Sequence, residues 1–113
     1  MESKGQIISR YKTYHYIENL DKYVGQEVTL RGWVYHKTGK GKLQFIQLRD
    51  GTGIVQCVVF KGNVSEEVFE NAKDLTQESS VIIKGTVRED PRSPSGFEID
   101  VTDLKVVQLT RDY

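Results

Sequence analysis

Between Leu43 and Phe60 the chain reads LQFIQLRDGTGIVQCVVF, where an aromatic ring and two amides, Phe45, Gln47 and Gln56, break up the apolar runs. Just before it lies HKTGKGK, a segment with three lysines. These residue types suit binding rather than bond making. A flat ring can stack on a nucleic-acid base, worth about 1–3 kcal/mol. A glutamine amide carries both donor and acceptor and can read a base's Watson–Crick edge. Uracil, with one N–H and two carbonyls, can meet a single amide in two directions. Lysines can meet phosphates.

Nothing comparable supports catalysis or a metal. The acids are plentiful but unpatterned, and no Ser or Cys nucleophile has a plausible histidine partner. GTG and GKGK lack the Lys-Ser/Thr ending of a phosphate loop. His15 and His36 lie far apart, and Cys57 is the single cysteine, so neither a zinc site nor an internal disulfide is expected.

Two strands must position the ring and the amides. Period-two geometry puts Gln44, Ile46 and Leu48 on one face and Leu43, Phe45, Gln47 and Arg49 on the other. In the next strand Val55, Cys57 and Val59 suit the core, leaving Ile54, Gln56 and Val58 outside. A register that sets Phe45 opposite Gln56 makes them neighbours on one outward face. A slip of one residue would instead send Phe45 inward, and Gln56 alone reads equally well as a surface amide.

The rest of the chain supplies a frame. Ile17, Leu20 and Tyr23 predict a short helical turn near Glu18–Tyr23, stopped by Gly25. EVTLRGWVY alternates as a strand, with Gly32 at a bend, and HKTGKGK reads as a loop. LQFIQLR and GIVQCVVF are strands two and three, joined at Asp50-Gly51-Thr52-Gly53. NVSEEVFENAKDL predicts a helix with the stripe Val68, Phe69, Ala72, Leu75 and a capping box from Asn63 to Glu66. SSVIIKGTVRE and FEIDVTDLKVVQL give strands four and five around a proline-bearing loop. Glu98 and Asp100, polar on strand five, can accept from base amines, or simply face solvent. The order predicts an all-β, five-stranded Greek-key barrel of OB-fold type, with a helix between strands three and four and a short N-terminal helical segment. Residues 1–15 read as an N-terminal arm and 16–113 as the barrel domain.

Composition narrows the class. At 113 residues and 37% hydrophobic, the chain suits one small core. No apolar run approaches membrane-spanning length, and the N-terminus lacks a signal-peptide h-region. Net charge is zero, yet Arg31 to Arg49 holds five basic residues and no acid, while Ser65 to Ser79 holds five acids against Lys73. One side of the domain is therefore expected to be positive.

The run VTLRGWVYHKTGKGKLQFIQLRDGTGIVQCVVF resembles the N-terminal anticodon-binding domain of the class II aminoacyl-tRNA synthetases for Asp, Asn and Lys. The shared pattern is V-x-L-x-G-W-V, a basic loop, then F-I/L-x-L-R-D-x-x-G-x-x-Q. LTQESSVIIKGTV and EDPRSPSGFEIDVTDLKVV extend it, the latter being most similar to asparaginyl-tRNA synthetases. The likeness covers about Tyr16 to Asp112. It implies that Phe45 stacks on the central U shared by these anticodons and that Gln56 hydrogen-bonds it. Arg31, Lys37 and Lys42 would hold the loop backbone, and Glu98 or Asp100 would meet a neighbouring base. Gln47 joins the RNA-binding set without an assigned partner. One departure is the loop before strand two, often richer in arginine in aspartyl members. Here it is His36-Lys37-Thr38 with Gly39 and Gly41, and lysine lacks arginine's planar fork.

The resemblance also implies a larger parent, an ATP- and Mg-dependent asparagine–tRNA ligase of the cytoplasm. That parent is a homodimer whose catalytic domain follows the barrel. This chain, ending at Arg111-Asp112-Tyr113, then reads as the anticodon-binding domain alone, with no catalytic residue, cofactor or metal of its own and no membrane partner. Three alternatives stay open: an aspartyl or lysyl parent, a stand-alone single-strand binder, and a subunit-interaction module using Tyr11, Tyr14 and Tyr16.

Overall fold

The computed structural model describes residues 14–93 and 95–108. The first thirteen residues, Tyr11 among them, and the terminal Arg111-Asp112-Tyr113 lie outside the described residues. A 3-10 helix, Ile17–Tyr23, leads into β1 (Glu27–Lys40), β2 (Leu43–Arg49) and β3 (Ile54–Phe60). A short 3-10 turn, Lys61–Asn63, and helix α1 (Glu66–Asp74) precede β4 (Ser80–Glu89) and β5 (Phe97–Gln108).

The strands close into a barrel in the order β1-β2-β3-β5-β4, the expected five-stranded arrangement with its helix between strands three and four. Strand β1 reaches two neighbours: its first half pairs with β4 and its second with β2, meeting at Trp33. Gly32 stands where that change occurs. A Cβ there would fall 2.3 Å from the Arg49 carbonyl oxygen, so only glycine lets the strands pass this closely. Closure comes from a parallel pairing of β3 with β5, Gln56 opposite Glu98 and Val58 opposite Asp100.

Inward positions follow the alternation. Val28, Leu30, Val34, Ile46, Leu48, Val55, Val59, Val81, Ile83 and Ile99 are fully or almost fully buried, and Val68, Phe69, Ala72 and Leu75 of α1 pack against them. Burial pushes the Cys57 thiol far up, and the nearby Glu98 charge adds to the shift. The N-terminal 3-10 helix is tied to the β2–β3 connection: the Ile17 N–H donates to Asp50 Oδ2 (2.9 Å) and the Glu18 N–H to Thr52 Oγ1 (3.1 Å). His15, assigned to the arm by sequence, is bonded into the barrel. Its backbone N–H donates to Thr29 O (2.8 Å), and its Nδ1 accepts from the Thr29 N–H (3.0 Å).

Two local expectations are corrected. HKTGKGK is not a loop: β1 runs on to Lys40 and pairs with β2, leaving only Gly41 and Lys42 as the turn. Gly41, at φ +60, holds the first central position, which suits a II′ hairpin turn. The helix is capped by Ser65, whose side chain accepts from the Val68 N–H, rather than by an Asn63–Glu66 box. Asn63 is spent in the preceding 3-10 turn, so the helix begins three residues later.

Candidate nucleic-acid interface

The outer face of β1, β2, β3 and β5 carries side chains in cross-strand rows, because directly paired residues point to the same side. One row is His36, Gln47, Gln56, Glu98 and Arg88. The next is Thr38, Phe45, Val58 and Asp100. Phe45 and Gln56 thus share the outward face as the sequence predicts, but they are diagonal neighbours. Phe45 faces Val58, and Gln47 faces Gln56. The four-residue connection, 50–53, sets Arg49 opposite Ile54, and that fixes the register two residues from the expected one. Gln47 thereby gains a position: it lies between His36 and Gln56, one row from the ring.

The amide row ends in a charged network. The Gln56 side-chain N–H donates to Glu98 Oε2 at 2.8 Å, and Arg88 Nη2 donates to Glu98 Oε1 at 2.7 Å. Arg88 also grips Asp100 with two bonds, Nε to Oδ2 at 3.1 Å and Nη2 to Oδ1 at 3.0 Å. An ionised carboxylate only accepts, so Glu98 dictates which end of the Gln56 amide turns toward it. The Gln56 carbonyl, without a hydrogen-bond partner among the described residues, and its second N–H remain for a ligand. The bidentate bond to Asp100 is the main reason that the Arg88 guanidinium is held above its ordinary pKa. Beside Gln56, the β4–β5 loop brings Asp90, Arg92 and Ser93 around a polar recess of about 310 Å³ that Glu98 also lines. The Arg92 backbone N–H, donating to Asp90 Oδ1, holds that carboxyl below the usual range.

Glu98 and Asp100 therefore stand differently from a pair of solvated strand residues. Glu98 is 7% exposed and both carry the Arg88 charge. Arg88 is the site residue that sequence reading missed. Alternation carried half of the signal, since Arg88 follows core-facing Val87 and so points outward; the pairing with β5 supplies its two acids.

The basic residues divide. Arg31 is exposed on β1, 5.9 Å from the Tyr14 ring centroid. Lys42 is exposed in the hairpin turn. Lys37 lies on the other side of the sheet from Phe45. It pairs with core-facing Ile46 and donates its ammonium to the Lys73 carbonyl, 2.7 Å away at the end of α1. The cause is a bulge between Val34 and His36, where the extra residue, Tyr35, reverses the alternation. Arg49 is partly neutralised: it pairs with Glu78 at 2.7 Å and lies 5.9 Å from the ring centroids of both Trp33 and Tyr35. The Glu78 pairing brings an acid of the 65–79 segment against the basic one, so the expected separation of charge is incomplete.

This geometry has counterparts in known proteins. Residues 28–107 match the tRNA anti-codon family, described as an OB-fold nucleic acid binding domain. An asparagine–tRNA ligase of Herpetosiphon aurantiacus is 65% identical over 98 residues, covering 87% of this chain and 22% of that protein. The crystal structure of asparaginyl-tRNA synthetase from Pyrococcus horikoshii complexed with asparaginyl-adenylate superposes with a TM-score of 0.83 at 44% identity, over 89% of this chain and 24% of that one. An aspartyl tRNA synthetase from Entamoeba histolytica is more distant in sequence, at 28% identity with a TM-score of 0.82, over 95% of this chain and 24% of that one. The chain spans about a quarter or less of the length of the relatives that it matches. A family match across most of the chain and a barrel of the same build give one conclusion: the chain belongs to the tRNA anti-codon family of OB-fold nucleic acid binding domains.

Proposed function

We propose that this chain reads the anticodon loop of tRNA-Asn for an asparagine–tRNA ligase. The observation that carries the reading is the outward pairing of Gln47 with Gln56, one row from Phe45 on a barrel face, in a chain 65% identical to such a ligase. In this reading Phe45 stacks on the central uracil. Gln56, oriented by Glu98, offers its carbonyl to the base N–H and its second N–H to a base carbonyl. Asp100 and the recess by Asp90 and Arg92 lie toward a neighbouring base, and Arg31 and Lys42 meet phosphates. Gln47 extends the row of polar contacts. Lys37 plays no part in it, because it faces α1.

In this reading the chemistry of the parent belongs to its catalytic domain, not to the barrel. Charging of tRNA-Asn with ATP and Mg, homodimer formation and a cytoplasmic setting follow from the ligase reading. The barrel's part is to bind RNA without a cofactor. No helix among the described residues is long and apolar enough to cross a membrane, and none of these residues form a group that could hold a metal.

The test is titration of asparagine, aspartate and lysine anticodon stem-loops, each with its central U and with C in its place. Tighter binding of the U-centred asparagine stem-loop is expected. Equal affinity for U and C would reduce the domain to a general single-strand binder.

A further inference from the structure

A third outward row lies on the hairpin side of Phe45: Lys40, Leu43 and Phe60. Phe60 is 40% exposed, at the end of β3. Its ring is braced rather than loose. A Cβ on Gly62 would fall 2.8 Å from its Cε2, so the ring lies close over the Gly62 backbone. The strand end is fixed as well: the Lys61 N–H donates to the Lys42 carbonyl at 2.9 Å, tying the end of β3 to the hairpin turn. Lys61 carries its ammonium to the Phe69 ring of α1, 5.9 Å from the centroid. Lys40 and Lys42 are both exposed, and no acid occurs between Arg31 and Arg49.

We propose that Phe60 is a second stacking platform, taking a loop nucleotide next to the one at Phe45, with Lys40 and Lys42 meeting the intervening phosphate. The proposal rests on the reading of this face as the anticodon-loop interface and adds a subsite to it. Spacing favours one base per ring. Phe45 and Phe60 lie in rows two residues apart, about 7 Å along the strands. That is about twice the 3.4 Å rise per nucleotide of a stacked strand. Bases on the two rings are therefore unstacked from each other and splayed onto the protein, the mode in which single-stranded loops are recognised. Exposed Lys40 and Lys42, with no acid in sequence between Arg31 and Arg49, suit a polyanion and disfavour a basic-rimmed or purely apolar occupant.

Fluorescence anisotropy with the full chain and an asparagine anticodon stem-loop tests this. Phe60→Ala, Phe60→Tyr and Phe45→Ala are compared, on the intact loop and on loops with a single abasic position on either side of the central base. Phe60→Ala should weaken binding about tenfold, as loss of one stacked base does, while Phe60→Tyr keeps it. The loss should vanish on one of the two abasic loops, because the base the ring serves is already gone. Phe60→Tyr should melt like wild type, and a melt of Phe60→Ala checks that this variant is folded, because the ring is 40% exposed and rests partly on Gly62. If Phe45→Ala weakens binding and Phe60→Ala does not, the second platform is wrong and the interface stands. A loss on Phe60→Ala that is equal on all loops also overturns it. If neither variant weakens binding, or the wild-type chain gives no saturable binding, the interface reading fails and takes the platform with it.

Discussion

Gln56 reaches across a parallel strand pair to Glu98, its amide N–H 2.8 Å from a carboxylate oxygen. The bond orients the amide, since a carboxylate has no proton to offer in return. Glu98→Gln should remove that control. The substitution should cost about 1–3 kcal/mol of folding stability, the usual range for losing bonds to a buried charge, because Arg88 also loses a charged partner. Discrimination between U and C at the central anticodon position should shrink more than total affinity does. A binding series with both stem-loops, beside a denaturant titration, reads both effects. Unchanged discrimination would mean that Glu98 does not orient the amide.

Phe45→Ala should weaken anticodon stem-loop binding by about 1–3 kcal/mol and leave the fold intact, because the ring is on the outward face. Anisotropy titration measures the loss. Wild-type affinity in this variant would remove stacking from the mechanism.

The two hairpin lysines should separate cleanly. Lys42→Ala should lower the salt slope of RNA binding by about 1, as loss of one phosphate contact does. Lys37→Ala should leave the slope alone and cost about 0.5 kcal/mol of stability, since its ammonium serves the carbonyl end of α1. Affinity measured across a range of salt, with a melt for each variant, checks the pair. The reverse pattern would place Lys37 at the RNA.

Cys57 should resist alkylation in the native protein. It is fully buried in the core, and desolvation pushes its thiol far above the ordinary range. Iodoacetamide should react at a rate set by opening of the barrel, rising steeply with denaturant. Prompt labelling in buffer would show that Cys57 is reached without opening of the barrel.

Asp90 gives a pH signature. Its carboxyl is held below the ordinary carboxylate range, first by the Arg92 backbone N–H. A carboxyl depressed on folding stabilises the folded state above its unfolded pKa, and that contribution is lost as pH falls through the lower folded value. Melting temperature should therefore decline below about pH 4, less steeply in Asp90→Asn than in wild type. Parallel curves for the two would assign the acid sensitivity to other groups.

Much of this face was legible in the sequence, because alternation in β2 and β3 is a local property: Ile46 and Leu48 go in, Phe45 and Gln47 go out, as written. Even Gln44, a polar residue in the inward set, is buried at 6% exposed. What failed depends on relations between strands. The length of the β2–β3 connection, not the strands themselves, put Gln47 rather than Phe45 opposite Gln56. A single bulged residue, Tyr35, turned Lys37 away from the rim that its neighbours in sequence form. Arg88 escaped notice for a related reason: it acquires meaning only through Glu98 and Asp100, on a strand ten residues away that β4 alone does not announce.

The parallel pairing of β3 with β5 has a bearing on how the domain is made. Gln56 and Glu98 are 42 residues apart, so their ladder is among the contacts that loop-closure entropy delays. Phe45 and Gln56 share a hairpin that is local in sequence, whereas Glu98 joins it only across a separation of 42 residues. Their amide control arrives only with the last strand. In the proposed reading, control of the Gln56 amide thus depends on barrel closure, because a chain whose β3 and β5 have not paired lacks the Glu98 bond that orients it.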